Sequence, residues 1–187
     1  MSKIQVMNKR IVYPYVILHD IALYELGAAK GSEEGRFYNC LKAMVFSAFS
    51  LEAYIFHIGV NEESDWIKIE KRLNPKQKLV RLSTRKKFNS NFSSRPFMTF
   101  DQIFEFRKQI VHGKTQQLQL DEIRDGEIGY EPEILLAPWE QLINLDVAAL
   151  FVEDSESMIS ILHPYFGYTT SPFFTQWKSS WEVKSAE

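Results

Sequence analysis

The stretch 99–114, TFDQIFEFRKQIVHGK, decides how the rest of the chain is read. It has the pattern of one short amphipathic helix with a marked start and stop. Thr99 stands where an N-cap belongs, with Gln102 three residues later at capping-box spacing, and Met98 and Ile103 occupy the two positions of a hydrophobic staple. Phe100, Ile103, Phe104, Ile110 and Val111 form a helical apolar stripe. Gly113 supplies a stop, because glycine tolerates the left-handed conformation that ends many helices. Arg107 and His112 enclose four residues. At about 100° per residue, a straight helix sets them roughly 140° apart. For the two to share a site, the last turn must loosen near Gly113, or a second copy of the chain must complete it.

Upstream, helical periodicity dominates. Ile11–Lys30 reads as a first helix with Pro14 near its start, where proline is tolerated, and with Val16, Ile17, Ile21, Leu23, Tyr24 and Leu26 as its apolar face. A second helix is expected over 33–58, ending at Gly59. Its stripe is Phe37, Leu41, Met44, Val45, Ala48, Leu51, Ile55 and Ile58, and Glu52 falls on or beside it. A carboxylate there is either solvated at the stripe's edge or paired, because an isolated buried charge is costly. Arg107 is its natural partner. Short helices are expected over 62–73, with Trp66, Ile69 and Leu73 inward, and from Pro75 to Leu82 after the Asn74-Pro75 break. Residues 87–96 read as a loop.

Downstream of Gly113 the period changes. Residues 115–120 alternate, and Asp125-Gly126 is a turn signal before 127–136, so a small β-hairpin and an extended loop both fit. A last long helix runs from Pro138-Trp139 to about His163, ended by Pro164 and Gly167. The expected fold is therefore all-α: an up-and-down bundle of about five helices, with room for a hairpin insertion between the last two main ones. Residues 1–10 read as a loose, flexible lead, 11–168 as the helical domain, and 169–187 as a tail carrying Phe173, Phe174, Trp177 and Trp181.

Composition bounds the chemistry. With 187 residues, 45% hydrophobic and 25% charged, the chain has the make-up of one ordinary globular domain. Cys40 is the only cysteine, which excludes an intrachain disulfide or a cysteine zinc site and fits a reducing cytoplasm. The four histidines, at 19, 57, 112 and 163, lack ligand spacing, and no glycine-rich phosphate loop occurs; no metal and no cofactor is expected. The apolar run 43–60 is interrupted by Ser47, Ser50, Glu52 and His57, and reads as a buried helix rather than a membrane span.

The net charge of −2 hides an asymmetry. Between Ile67 and Lys87 stand Lys68, Lys71, Arg72, Lys76, Lys78, Arg81, Arg85, Lys86 and Lys87, against Glu70 alone. That is +8, leaving −10 for the remainder. Such a run can attract a polyanion such as RNA, with Lys76, Lys78, Arg81, Arg85, Lys86 and Lys87 as candidate contacts. It can equally be a solvated helical face paired with acids elsewhere.

The motif R-x-x-x-x-H-G, late in a helical chain, resembles the HEPN superfamily. The resemblance spans roughly residues 10–165. It includes Ser47–His57, which looks like the long helix of these bundles with its carboxylate in an apolar run, and Lys76-Gln-Lys78-Leu79, where some members carry a short basic helix. It implies a homodimer that cleaves RNA without metal, Arg107 and His112 meeting in a cleft at the dimer interface. It also implies membership of toxin–antitoxin, defence or RNA-processing systems, with an antitoxin or another protein as partner. Elementary chemistry is compatible with that role. A histidine can move a proton near neutral pH, and an arginine can hold a phosphate while charge grows on its oxygens. Lys108 takes the polar position after the arginine; it can bind phosphate but cannot accept a hydrogen bond, a departure from the family pattern. Some members are inactive and serve as binding or dimerisation modules. Without catalysis, the same residues make a salt bridge to Glu52 and a helix-capping histidine stabilised by the helix dipole.

Overall fold

A computed structural model describes residues 4–119, 134–174 and 177–185. The fold is all-α with one small β element. The elements in order are β1 (Ile4–Val12), α1 (Pro14–Gly31), α2 (Arg36–Glu62), α3 (Trp66–Ile69), α4 (Pro75–Arg85), α5 (Phe100–Val111), α6 (Pro138–Gln141), α7 (Leu145–Tyr165) and β2 (Trp177–Ser185); 3₁₀ turns at Glu70–Arg72 and Phe97–Thr99 follow α3 and precede α5.

α2 is the axis of the bundle, packed on α1 and α7 along its length and on α4 and α5 at one side. Its buried residues, among them Cys40, Met44, Ala48, Leu51, Tyr54, Ile55 and Ile58, recur at three- and four-residue steps. By length and composition alone α2 could cross a membrane, yet 56% of its most apolar stretch is buried inside the bundle. Two of its serines lie inside as well: the Ser50 hydroxyl donates to the Tyr15 carbonyl on α1 at 2.7 Å, and the Ser47 hydroxyl to the Met44 carbonyl at 2.8 Å. On α1 the inward set is Tyr15, Val16, His19, Ala22, Leu26 and Ala29. Leu23 and Tyr24, expected inside, are exposed. His19 and the small alanines take the tight seam against α2 and α7 instead.

Gly59 does not end α2, which continues for three more residues to Glu62. The glycine is needed for a different reason. A Cβ built on it would lie 2.0 Å from Cε2 of Trp66, so the indole packs flat on bare backbone as the chain turns into α3. α4 begins as its sequence indicates: Asn74 accepts from the Gln77 amide at 2.9 Å while the Gln77 side chain accepts from the Asn74 amide at 3.0 Å, a complete capping box with Pro75 at the first position.

The last long helix is two. Asn144 accepts from the Val147 amide at 3.0 Å and so caps α7, which separates it from the single turn of α6. Pro164 sits inside the final turn of α7 rather than beyond it, and Gly167, at φ +83°, makes the reversal.

The β element lies elsewhere than expected. Residues 113–119 and 134–137 hold no strand, and the rest of the expected hairpin falls on 120–133, outside the described residues. The strands among the described residues come from the chain's first and last segments. β1 and β2 are antiparallel, in unbroken register from Ile4↔Ser185 to Val12↔Trp177. Residues read as a loose lead and an aromatic tail thus form one ribbon. Its sequence signal, nine residues at each end separated by the whole bundle, has no local turn to announce it.

Candidate active site

α5 is positioned from both ends. Its N-terminus is not capped by Thr99, whose side chain makes no cap hydrogen bond; the hydroxyl donates to the Asp154 carboxylate of α7 instead. Met98 is 56% exposed and Ile103 fully buried, so no staple forms. Asp154 is the fixed point here. It is buried and also accepts three hydrogen bonds from Arg95, from Nε at 2.9 and 3.2 Å and from Nη2 at 2.8 Å. Those bonds tie the 87–96 loop, the start of α5 and the middle of α7 together. Asp154→Ala would leave the buried Thr99 hydroxyl without its acceptor, and an expected loss of about 2 kcal/mol follows, measurable as a lower urea midpoint. An unchanged midpoint would mean that the clamp adds nothing to stability.

Along α5, Phe100, Ile103, Phe104 and Phe106 face the core. Phe106 packs edge-on against Phe151 of α7, ring centres 5.8 Å apart. Val111 is outward, and Phe106 takes the place in the core that the sequence pattern gave to Val111. That rotation leaves Arg107 at the boundary, with 26% of its side chain exposed. Its Nη2 donates to Glu52 Oε2 at 2.9 Å, and its guanidinium lies 5.7 Å over the Phe49 ring. Glu52 is one-third exposed, so the pair is neither a buried charge nor a free one. Arg107 Nε is buried without a hydrogen-bond partner among the described residues.

α5 ends at Val111. Gly113 does not adopt the left-handed conformation. The His112 amide still makes the helical bond to the Lys108 carbonyl at 3.0 Å, the Gly113 amide turns back to the Ile110 carbonyl at 3.4 Å, and His112 is exposed. Arg107, Lys108 and His112 line one groove of about 590 Å³ together with Lys76, Phe100 and Phe104. His112, Lys108 and Glu105 also border an adjoining hollow toward Leu41 and Trp139. Lys108 is exposed and reaches Glu105 at 3.3 Å.

The basic run divides into held and free charges. Arg81 grips Glu63 with two parallel bonds, Nε–Oε1 at 2.8 Å and Nη2–Oε2 at 2.7 Å, and this grip holds the Glu63 carboxyl below the usual range. Lys78 pairs with Glu70 at 2.6 Å and Lys86 with Glu62 at 2.7 Å. Lys76 pairs with Asp101 at the groove's edge. Arg85 donates to the Glu62 carbonyl at 3.3 Å. Lys68, Lys71, Arg72 and Lys87 are exposed and form no ion pair among the described residues. Among the described residues, the unpaired positive charge of this run thus belongs to the 68–72 segment and Lys87, not to the middle of α4.

Sequence reasoning passed over a second polar cluster. His57 of α2 and His163 of α7 meet three tyrosines. Tyr54 Oη lies 3.2 Å from His163 Nδ1, Tyr168 Oη lies 3.0 Å from His57 Nε2, and Asn61 donates to Tyr168 Oη at 2.8 Å. Tyr168 stacks on His163 with ring centres 4.4 Å apart, and Tyr15 packs edge-on against Tyr54. Three of these residues, 54, 57 and 61, stand at three- and four-residue steps on α2. His163 and Tyr168 come from the far end of the chain, so only the fold assembles the group. Burial pushes both histidines down, His163 to about 4 with help from the nearby His57, and pushes the Tyr15 hydroxyl up to about 12. His57 also walls two hollows. One is an apolar cleft of about 580 Å³ running past Phe56 and Trp66 to Glu52; the other, about 330 Å³, is lined by Tyr13, Tyr15 and Tyr168.

A pH dependence follows. With folded pKa values depressed, the unfolded chain binds protons that the folded chain refuses. This part of the stability is complete above about pH 6.5 and is lost as the pH falls towards about 4. His163→Asn keeps a polar partner for Tyr54 without a basic nitrogen. Its unfolding midpoint is expected to fall less than that of the wild type between those two pH values. Parallel acid limbs in the two proteins would rule the coupling out.

Among the described residues, no three of histidine, cysteine, aspartate and glutamate converge as metal ligands do. No family model, curated protein or solved structure matches this chain.

Proposed function

We propose that the chain is a HEPN-like, metal-independent endoribonuclease that works as a homodimer in a reducing cytoplasm. In this reading an RNA phosphate is held by Arg107, with Lys108 and Lys76 beside it. His112 takes the proton of the adjacent ribose 2′-hydroxyl as that oxygen attacks phosphorus. The bond from phosphorus to the 5′-oxygen breaks, a proton goes to that oxygen, and a 2′,3′-cyclic phosphate remains. The observation that carries the reading is the shared groove: Arg107, Lys108 and His112 line one hollow although five helical steps separate the first from the last. The motif and its helical setting supply the family resemblance, and an antitoxin or other protein partner belongs to the same proposal.

The second reading is a non-catalytic HEPN-like module that binds RNA or protein. Its support is the Glu52–Arg107 pair, which already occupies the guanidinium, together with the paired state of Lys76, Lys78, Arg81 and Lys86. Incubating mixed-sequence RNA with the full chain in EDTA, and analysing the product ends, separates the two. Cyclic phosphate ends support the enzyme. Binding that weakens steeply with salt, without cleavage, supports the module.

A further inference from the structure

The ribbon at the chain ends is built, but the bundle does not cover it. β1 and β2 pack on each other and hardly touch the helices. Nine residue pairs run without a bulge, and the outer edge of β1 pairs with no other strand among the described residues, leaving a straight row of amides and carbonyls there. An isolated two-stranded ribbon is marginal in water, and here Val6, Met7, Ile11 and Val12 are each more than 40% exposed. We propose that this edge pairs with β1 of a second copy of the chain, antiparallel and centred on Asn8, giving a four-stranded sheet across a two-fold axis.

Register and charge select this occupant. Centred on Asn8, all nine residues of β1 find a partner. Lys9 falls opposite Met7 and Arg10 opposite Val6 of the other copy, so no like charges stand directly opposite. Lysine ordinarily guards a strand edge, but in this register its charge is not opposed. The same operation on β2, centred on Trp181, would set Lys178 opposite Lys184 twice, a destabilising arrangement. One edge therefore closes the pair while the other resists extension, so pairing through the ribbon stops at two copies. The proposal needs no catalytic role for any residue, and Asn8→Lys tests this interface without touching the groove, so its failure is separate from failure of the ribonuclease chemistry.

A residue on the axis faces its own copy at about 4.5–5.5 Å between Cα atoms, within the span of a disulfide. Cys40 is buried, so Asn8→Cys in the full chain offers a single accessible thiol. Mild oxidation is expected to give a covalent dimer with Asn8→Cys, none with Lys9→Cys alone, and a cross-linked pair when Lys9→Cys is mixed with Met7→Cys. Asn8→Lys, which sets two lysines face to face, is expected to weaken dimerisation about fivefold at low salt and less at high salt. A wild type that sediments as a monomer overturns the proposal, including one whose ribbon takes up an acidic peptide instead. Cross-linking of Lys9→Cys to itself as efficient as that of Asn8→Cys does the same.

Discussion

Arg107→Ala and His112→Ala are each expected to lower RNA cleavage by about 10²–10⁴-fold, with the cyclic phosphate product lost in parallel. The two act on different parts of one step. Without His112 the 2′-hydroxyl has no base at hand; without Arg107 the growing charge on the phosphoryl oxygens has no fixed counter-charge. Neither variant should unfold the protein. His112 is exposed beyond the helix end. The glutamate left by Arg107→Ala is one-third exposed and can be solvated in place. Product ends on a sequencing gel, read beside far-UV circular dichroism of each variant, check both statements. If both folded variants cut RNA as the wild type does, the groove is not the active site.

Gly59→Ala is expected to destabilise the fold by about 3 kcal/mol, as added atoms do in a close-packed core. Alanine is the better helix former by about 1 kcal/mol, so local propensity predicts the opposite sign, and the variant sets the two effects against each other. The new methyl would enter the Trp66 ring, with Cε2 at 2.0 Å and both Cδ2 and Nε1 at 2.4 Å. Trp66 is 1% exposed, so its ring would have to give up buried contacts and shift toward the cleft it borders. Trp66→Leu should remove most of the penalty, making the pair strongly non-additive in a double-mutant cycle. A stabilised Gly59→Ala protein would show that the indole can move freely.

The contrast between Gly59 and Asn74 shows what was legible in the sequence. The Asn74-Pro75 break and the helix start at Pro75 are local signals, and α4 begins there, its capping box complete within four residues. The helical class of the fold and the places of α1, α2, α4, α5 and α7 follow from periodicity in the same way. Gly59 has the local mark of a helix stop, yet its role is set by a ring seven residues on. Thr99 likewise has the mark of a cap, but a carboxylate 55 residues away takes its hydroxyl. Local pattern loses wherever a distant partner offers a better hydrogen bond or a tighter contact.

The candidate site shows the same division. Glu52 as partner of Arg107 was one of two readings, solvation at the stripe's edge being the other; the ion pair forms at 2.9 Å, with the carboxylate one-third exposed at that edge. The shared groove was not readable, since it depends on how the chain leaves the helix after Val111. The pairing of Lys76, Lys78, Arg81 and Lys86 depends on acids that periodicity cannot locate in space.

The ribbon also sets an order in time. Val12 and Trp177 face each other across 165 positions of sequence. At a synthesis rate of about 5–20 residues per second, β1 emerges roughly 10–30 seconds before its partner exists. Through that interval β1 has no partner among the described strands, and the ribbon closes only after the helices that separate its halves have been made. On a polysome, where neighbouring nascent chains each carry an unpaired β1, the second copy of the strand is therefore available earlier than β2.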